Sequence, residues 1–207
     1  IFNLSGIILS QESLPKLSLS SSGRELYITD EKGKRLTKDE VTALMTLLFF
    51  KEGGKRLVLP FEAPHAAEVI ARHEGGSFCR IEAAGMSAKR DSSFLNDGLR
   101  QALRLSEYML KTGCCLSDIR EELPRFSVYS TEVPISHSRG EIMRKISSYA
   151  HISEYGNGVR FLHNGGWIRV SPLLSRQAIS ITGEDYSQEM AKEICMDIKK
   201  LATEMDK

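Results

Sequence analysis

Long apolar runs are missing from this sequence, and so is any surplus of charge. No stretch approaches the roughly 18 consecutive apolar residues a membrane-spanning helix needs, and no basic segment leads into an apolar one at the start, so neither a membrane partner nor a secretory signal is expected. Lys and Arg number 28 against 27 Asp and Glu, a formal charge of +1. No dense Lys/Arg run breaks that balance, so no nucleic-acid partner is expected either. Cysteine is scarce: Cys79, Cys114, Cys115 and Cys195 form no C-x-x-C and no zinc-like spacing with His, and two of them are adjacent, which is poor disulfide geometry. They read as reduced thiols of a cytoplasmic protein. The five histidines (His65, His73, His137, His151, His163) share no helical face and read as surface or capping groups. The first residue is Ile1, not Met, and the chain is expected to be a piece of a longer polypeptide.

What is present is a globular composition. With 207 residues, 41% hydrophobic and 27% charged, the chain is large enough to bury a substantial core. Residues 2–9 read as a strand, 18–23 as a small-residue turn and 25–29 as a second strand, closed by the turn Asp30-Glu31-Lys32-Gly33. Thr37-Lys38-Asp39-Glu40 is a capping box. Behind it Val41, Leu44, Met45, Leu47 and Leu48 predict a helix over 39–50 with one buried face. A nearly continuous apolar strand at 56–60, a helix at 66–73 and a strand at 78–81 then predict an α/β layer with parallel strands. The polar segment 87–93 is the expected boundary.

Beyond it, Asn96 is expected to cap a helix reaching Lys111, with Leu99, Leu103, Met109 and Leu110 inward and Gly113 ending it. A short helix at 117–123, a strand at 127–133 and a helix at 140–148 follow. Asn157-Gly158 and Asn164-Gly165 are expected tight turns around a strand at 159–162. Residues 165–181 hold the single Trp, Trp167, and run strand, Pro-containing loop, strand, with Arg and Ser gathered at the loop; such a loop suits either an anion site at a sheet rim or an ordinary hairpin. Trp167 is expected to anchor the core under the last helix. That helix, 188–205, carries the stripe Ala191, Ile194, Cys195, Ile198, Leu201 and Met205. The fold class is therefore α/β followed by α+β, with an antiparallel sheet covered by helices on one face.

The order of these motifs resembles the later domains of the phosphohexomutase superfamily, the phosphomannomutases and phosphoglucomutases. Asn157-Gly158-Val159-Arg160 resembles the family's D-G-V-R-I, and Gly166-Trp167-Ile168-Arg169-Val170-Ser171-Pro172 its G-W-x-x-V-R-P-S-G-T-E-P. Asp97-Gly98-Leu99, Leu116-Ser117-Asp118-Ile119 and the strand and turn at 25–33 resemble further family segments. The resemblance implies a domain-2-like tail at 1–35, a shortened three-layer α/β domain 3 at 36–93, and an α+β, TATA-box-binding-protein-like domain 4 at 94–207. Glu132-Val133-Pro134 and Arg139-Gly140-Glu141-Ile142-Met143-Arg144 resemble the subgroup in which this region follows a nucleotidyltransferase, the mannose-1-phosphate guanylyltransferase type.

The resemblance also implies a chemistry, which the residues match poorly. The family moves a phosphoryl group between C6 and C1 of a hexose phosphate, using a phosphoserine in its first domain and magnesium in a D-x-D-x-D-R loop. Here Ser20, Ser22 and Arg24 fall at the three Asp positions, so no metal and no cofactor is expected in this chain. The sugar loop has two alternative registers, which leave Glu82 and Ser87 as candidate sugar ligands. The phosphate loop maps onto Ser171 to Gln177, with Ser171 replacing the bidentate Arg; Arg169, Ser171, Ser175 and Arg176 are the candidate phosphate ligands. The expected partners are a hexose phosphate, the preceding domains of the same chain, and a second copy in a homo-oligomer. No catalytic residue is expected, and the chain alone is expected to be inactive. The alternative is a non-catalytic regulatory or oligomerising module of a nucleotidyltransferase.

Overall fold

The computed structural model describes residues 14–81, 93–150 and 154–206. The expected strand at 2–9, the linker at 87–92, Glu82 and Ser87 lie outside the described residues.

Strands β1 (Lys16–Leu19) and β2 (Leu26–Thr29) pair as an antiparallel hairpin, Leu17 opposite Ile28. Helix α1 (Lys38–Lys51) begins on the expected capping box: the Thr37 hydroxyl accepts the Glu40 N–H at 3.1 Å, and Glu40 accepts the Thr37 N–H at 2.7 Å. One buried face was expected of it, but every residue from Ala43 to Phe50 is buried. The apolar run Leu47-Leu48-Phe49-Phe50 marks a helix covered all round rather than an amphipathic one. Strand β3 (Arg56–Pro60), helix α2 (His65–His73) and strand β4 (Ser77–Ile81) form the expected unit, β3 and β4 parallel, Leu57 beside Phe78.

Helix α3 (Gly98–Thr112) ends on Gly113, in the left-handed conformation as expected, but its N-cap is Asp97, not Asn96. Its expected inward face is also corrected. Leu105 and Gln101 are buried and the expected Met109 packs on the core beside them, whereas Leu99, Leu103 and Leu110 are about half exposed or more. The leucine stripe misled because the pairs at i and i+4 exist on both sides of the helix, and the shorter face made of Gly98, Gln101 and Leu105 is the one that packs.

Helix α4 (Leu116–Glu121) is held to the β2 turn by Asp30–Arg120 at 2.5 Å and by the Ser117 N–H donated to Glu31 Oε1 at 3.0 Å. Phe94, Leu95, Leu105, Leu116 and Ile119 accordingly share one hydrophobic core with α1, β3 and α2. The second core begins only at Val133. The two cores thus divide near residues 126–133, whereas residues 94–207 were expected as one last domain.

That second core lies under a five-stranded antiparallel sheet made of β5 (Ser127–Pro134), β6 (Glu154–Gly156), β7 (Gly158–His163), β8 (Gly166–Leu173) and β9 (Ala178–Asp185), in the order β5-β9-β8-β7-β6. Helices α5 (Arg139–Tyr149) and α6 (Gln188–Met205) cover one face, packing on Phe161, Ile168, Val170, Ile179 and Ile181. The fold is α/β followed by α+β. The β7–β8 turn is of the Asn-Gly kind, with φ of 49° at Asn164 and 90° at Gly165. At Gly183 a side chain would meet the Ala191 carbonyl at 2.5 Å, so the missing Cβ is what lets α6 lie flat on the sheet. No helix among the described residues is long and apolar enough to cross a membrane.

A Gly183→Val substitution is expected to lift α6 off the sheet and destabilise the protein by about 1–3 kcal/mol, as overpacking does. Thermal unfolding followed by circular dichroism checks it; an unchanged midpoint contradicts the packing described here.

Candidate functional site

Side chains alternate along a strand, so the face of the sheet opposite the helices carries a different set: Arg160, Trp167, Arg169, Ser171, Thr182 and Glu184. Register aligns Arg160 beside Arg169, Arg169 beside Thr182, and Trp167 beside Glu184. This polar face meets α2 and the segment before it, and the contact forms a seam between the two cores.

Glu68 of α2 is its hub. Its side chain is 3% exposed, and Arg80 reaches Oε1 at 2.6 Å, as does Arg160. His65 Nδ1 lies 3.1 Å from Oε2. Burial alone raises the Glu68 carboxyl, but the His65 contact and the charges of Arg80 and Arg160 outweigh it and hold the group at about 2. Arg80 also donates to the carbonyls of Pro60, Phe61 and Ala63 at 2.8–3.1 Å, tying β4 to the loop before α2. Trp167 is enclosed between the Arg160 guanidinium, 4.1 Å from its ring centre, and the His65 ring, stacked at 4.7 Å. It is therefore not under the last helix but on the opposite face, and His65 is not a mere surface group. Their packing depends on which way β8 faces, which spacing alone leaves open.

Helix α2 gets its cap from the same face. Its N-cap position is Pro64, which offers no side-chain acceptor. The Glu184 carboxylate takes that place, accepting the N–H groups of His65 at 2.5 Å and Ala66 at 2.8 Å. Burial raises the Glu184 carboxyl, and those two N–H groups only partly offset it.

The candidate phosphate ligands are held in two places rather than one. Arg169 faces the seam, donating to the Glu62 carbonyl and, at 3.4 Å, to Thr182. Burial lowers its pKa, partly offset by Asp39 and Glu62. Arg176, in the β8–β9 loop, is exposed and pairs with Glu132. Arg139 donates to the carbonyls of Leu173 and Arg176, fastening the loop from α5. Ser175 is exposed. Ser171 lies where a Cβ on Gly158 would come within 2.7 Å of its hydroxyl, so Gly158, besides closing the expected tight turn between β6 and β7 opposite Gly156, serves close strand contact.

At the candidate metal loop, the hydroxyls of Ser20 and Ser22 lie 3.2 Å apart, Ser20 Oγ accepts the Glu25 N–H at 3.1 Å, and Arg24 is exposed. Two neutral hydroxyls and a cation do not fit magnesium, which takes carboxylates. Among the described residues no cluster of three or more His, Cys, Asp or Glu is placed to hold a metal. All four cysteines are free thiols.

No protein-family model matches the chain. It is 23% identical over 195 residues to a phosphoglucomutase/phosphomannomutase of Thermococcus kodakarensis, covering 82% of this chain and 42% of that protein. In structure it resembles a phosphoglucomutase/phosphomannomutase family protein from Burkholderia thailandensis, with a TM-score of 0.71 at 15% identity over 92% of this chain and 46% of that one. It also resembles the N-acetylphosphoglucosamine mutase of Aspergillus fumigatus, solved with GlcNAc-6P and magnesium, at a TM-score of 0.66, 11% identity, and 97% and 51% coverage. The chain spans less than half the length of the curated relatives it matches. In sequence and in fold it is phosphohexomutase-like.

Acid is expected to open the seam. The folded Glu68 carboxyl sits at about 2 against an ordinary 4.5. Its contribution is therefore complete above about pH 4.5 and lost as pH falls toward 2. The emission of Trp167, enclosed by seam residues, should shift over that range. Glu68→Gln leaves the buried Arg80 and Arg160 without their anion and should destabilise the fold by about 3–5 kcal/mol, read by denaturant titration; a near-neutral result refutes the hub role.

Proposed function

We propose that this chain is the C-terminal part of a phosphohexomutase-like protein of sugar-phosphate metabolism, and that it contributes framework rather than phosphoryl-transfer chemistry. In the intact enzymes of this class the reaction moves a phosphoryl group between C6 and C1 of a hexose phosphate. The observation that carries the framework reading is the engagement of the two arginines among the candidate phosphate ligands. Arg169 is turned into the seam and Arg176 is paired with Glu132. A phosphate arriving at Ser171–Ser175 meets no disengaged bidentate donor there. Ser20, Ser22 and Arg24 also offer magnesium none of the carboxylates it requires.

A second reading keeps the fold and changes the role: a non-catalytic regulatory or oligomerising module, following a nucleotidyltransferase of the guanylyltransferase type. The Glu68–Arg160 pair favours it, because a buried ion pair bolts the sheet to α2 and opposes the sheet moving to close over a substrate. The resemblance of Glu132-Val133-Pro134 and Arg139–Arg144 to that subgroup supports the fusion.

Calorimetric titration with mannose 1-phosphate and glucose 1,6-bisphosphate separates these from an active grip. The expected result is no saturable heat up to millimolar ligand and no interconversion of hexose 1- and 6-phosphates. Turnover by this chain, or binding that weakens about tenfold in Arg169→Ala or Arg176→Ala, overturns the framework reading.

A further inference from the structure

An open cleft of about 720 Å3 lies between the start of β3 and helix α3. It is at the opposite end of β3 from the seam: Arg56 lines the cleft, while Glu62, just past the strand, contacts Arg169. Its volume is in the range of small-molecule sites. Four cationic side chains line it, Lys55, Arg56, Arg100 and Arg104, against one carboxylate, Glu107. That carboxylate is already bonded to Lys111 at 2.6 Å. On a chain whose overall charge is only +1, this is a local concentration of positive charge.

The cations are arranged, not scattered. Arg104 is fixed by Glu52 at 2.9 Å and lies over the Phe94 ring, its guanidinium carbon 4.3 Å from the ring centre. Phe94 in turn stacks on Phe49 at 6.0 Å, so a layered aromatic and guanidinium wall backs the cleft. Arg104 Nη1 is buried and donates to no acceptor among the described residues. Arg100, one turn before it on α3, is 3.4 Å from Asp97. Lys55 and Arg56 are exposed and form no ion pair among the described residues. Leu103, 61% exposed, adds an apolar rim beside them.

We propose that this cleft binds a small phosphate ester that carries a planar, stackable group, of the nucleoside diphosphate kind. Lys55, Arg56 and Arg100 take the phosphates, and the remainder lies against Leu103 and the Phe94–Arg104 wall, since arginine binds phosphate and also stacks on planar groups. A bare sugar phosphate fits less well, because it offers no planar group to stack on that wall and its hydroxyl donors find as side-chain acceptor in the lining only Glu107, which is already engaged. The site is separate from the sheet face and stands or falls independently of the framework reading.

The test uses the full chain and ADP as probe, with adenosine, pyrophosphate, glucose 1-phosphate and a single-stranded oligonucleotide as comparators, by calorimetry at low and moderate salt. ADP should bind saturably, more tightly than adenosine, pyrophosphate or glucose 1-phosphate, and more weakly as salt rises. The double variant Lys55→Glu/Arg56→Glu changes exposed side chains, so its melting temperature should hold while ADP affinity falls about tenfold or more. Leu103→Asp should weaken ADP but not pyrophosphate. Silence toward ADP at low salt, equal affinity in the double variant, pyrophosphate matching ADP, or binding of the oligonucleotide without ADP each overturns the proposal.

Discussion

A carboxylate removed from water must find cations or be neutralised, and Glu68 finds two buried ones, with the exposed Arg72 at 3.4 Å from its other oxygen. Arg80 comes from the neighbouring strand of its own unit and Arg160 from the far sheet, so a single buried group ties both cores together. Most of what is distinctive in the structure follows from this contact. Trp167 is enclosed because Arg160 must pass its ring to reach Glu68. Glu184 caps α2 because the sheet is drawn against the helix's N-terminus, where Pro64 leaves N–H groups without a partner. Arg169 is turned toward the Glu62 carbonyl by the same approach. A buried pair of this kind adds little net stability over an apolar contact but is costly to break singly. It acts as a latch that fixes one relative arrangement.

That arrangement bears on chemistry. An arginine binds phosphate well when its planar fork is free and aimed. On the sheet face the forks of Arg160 and Arg169 are turned into protein, and Arg176 answers Glu132 at the edge. On this face the basic groups therefore hold the molecule together. Positive charge without such commitments is found instead at the other end of β3, around Lys55 and Arg56.

Much of the architecture could be read from the chain. The capping box at Thr37, the left-handed Gly113, the parallel β3–β4 pair and the α6 stripe all follow from local rules: side-chain oxygens near orphan N–H groups, glycine where φ is positive, apolar spacing at the helical period. The errors share one cause. Leu99, Leu103 and Leu110 satisfied a helical period yet face outward, and α1 had no exposed face to find. Periodicity says that a face exists, not which neighbour is there to cover it. Likewise the pairings of the seam carried no signal: Glu68, Arg80 and Arg160 are separated by up to 92 positions, and nothing local shows that they meet.

The sequence by itself determined the fold class, the order of elements, and the lack of a carboxylate at Ser20, Ser22 and Arg24, because each of these depends on residue type at a position. Only the tertiary structure decided which face of β8 Trp167 and Arg169 occupy, which partner Glu68 and Glu184 serve, and where the two cores divide. Those depend on contacts between segments far apart in the chain, and a strand's alternation fixes which side chains share a face without saying what that face will meet.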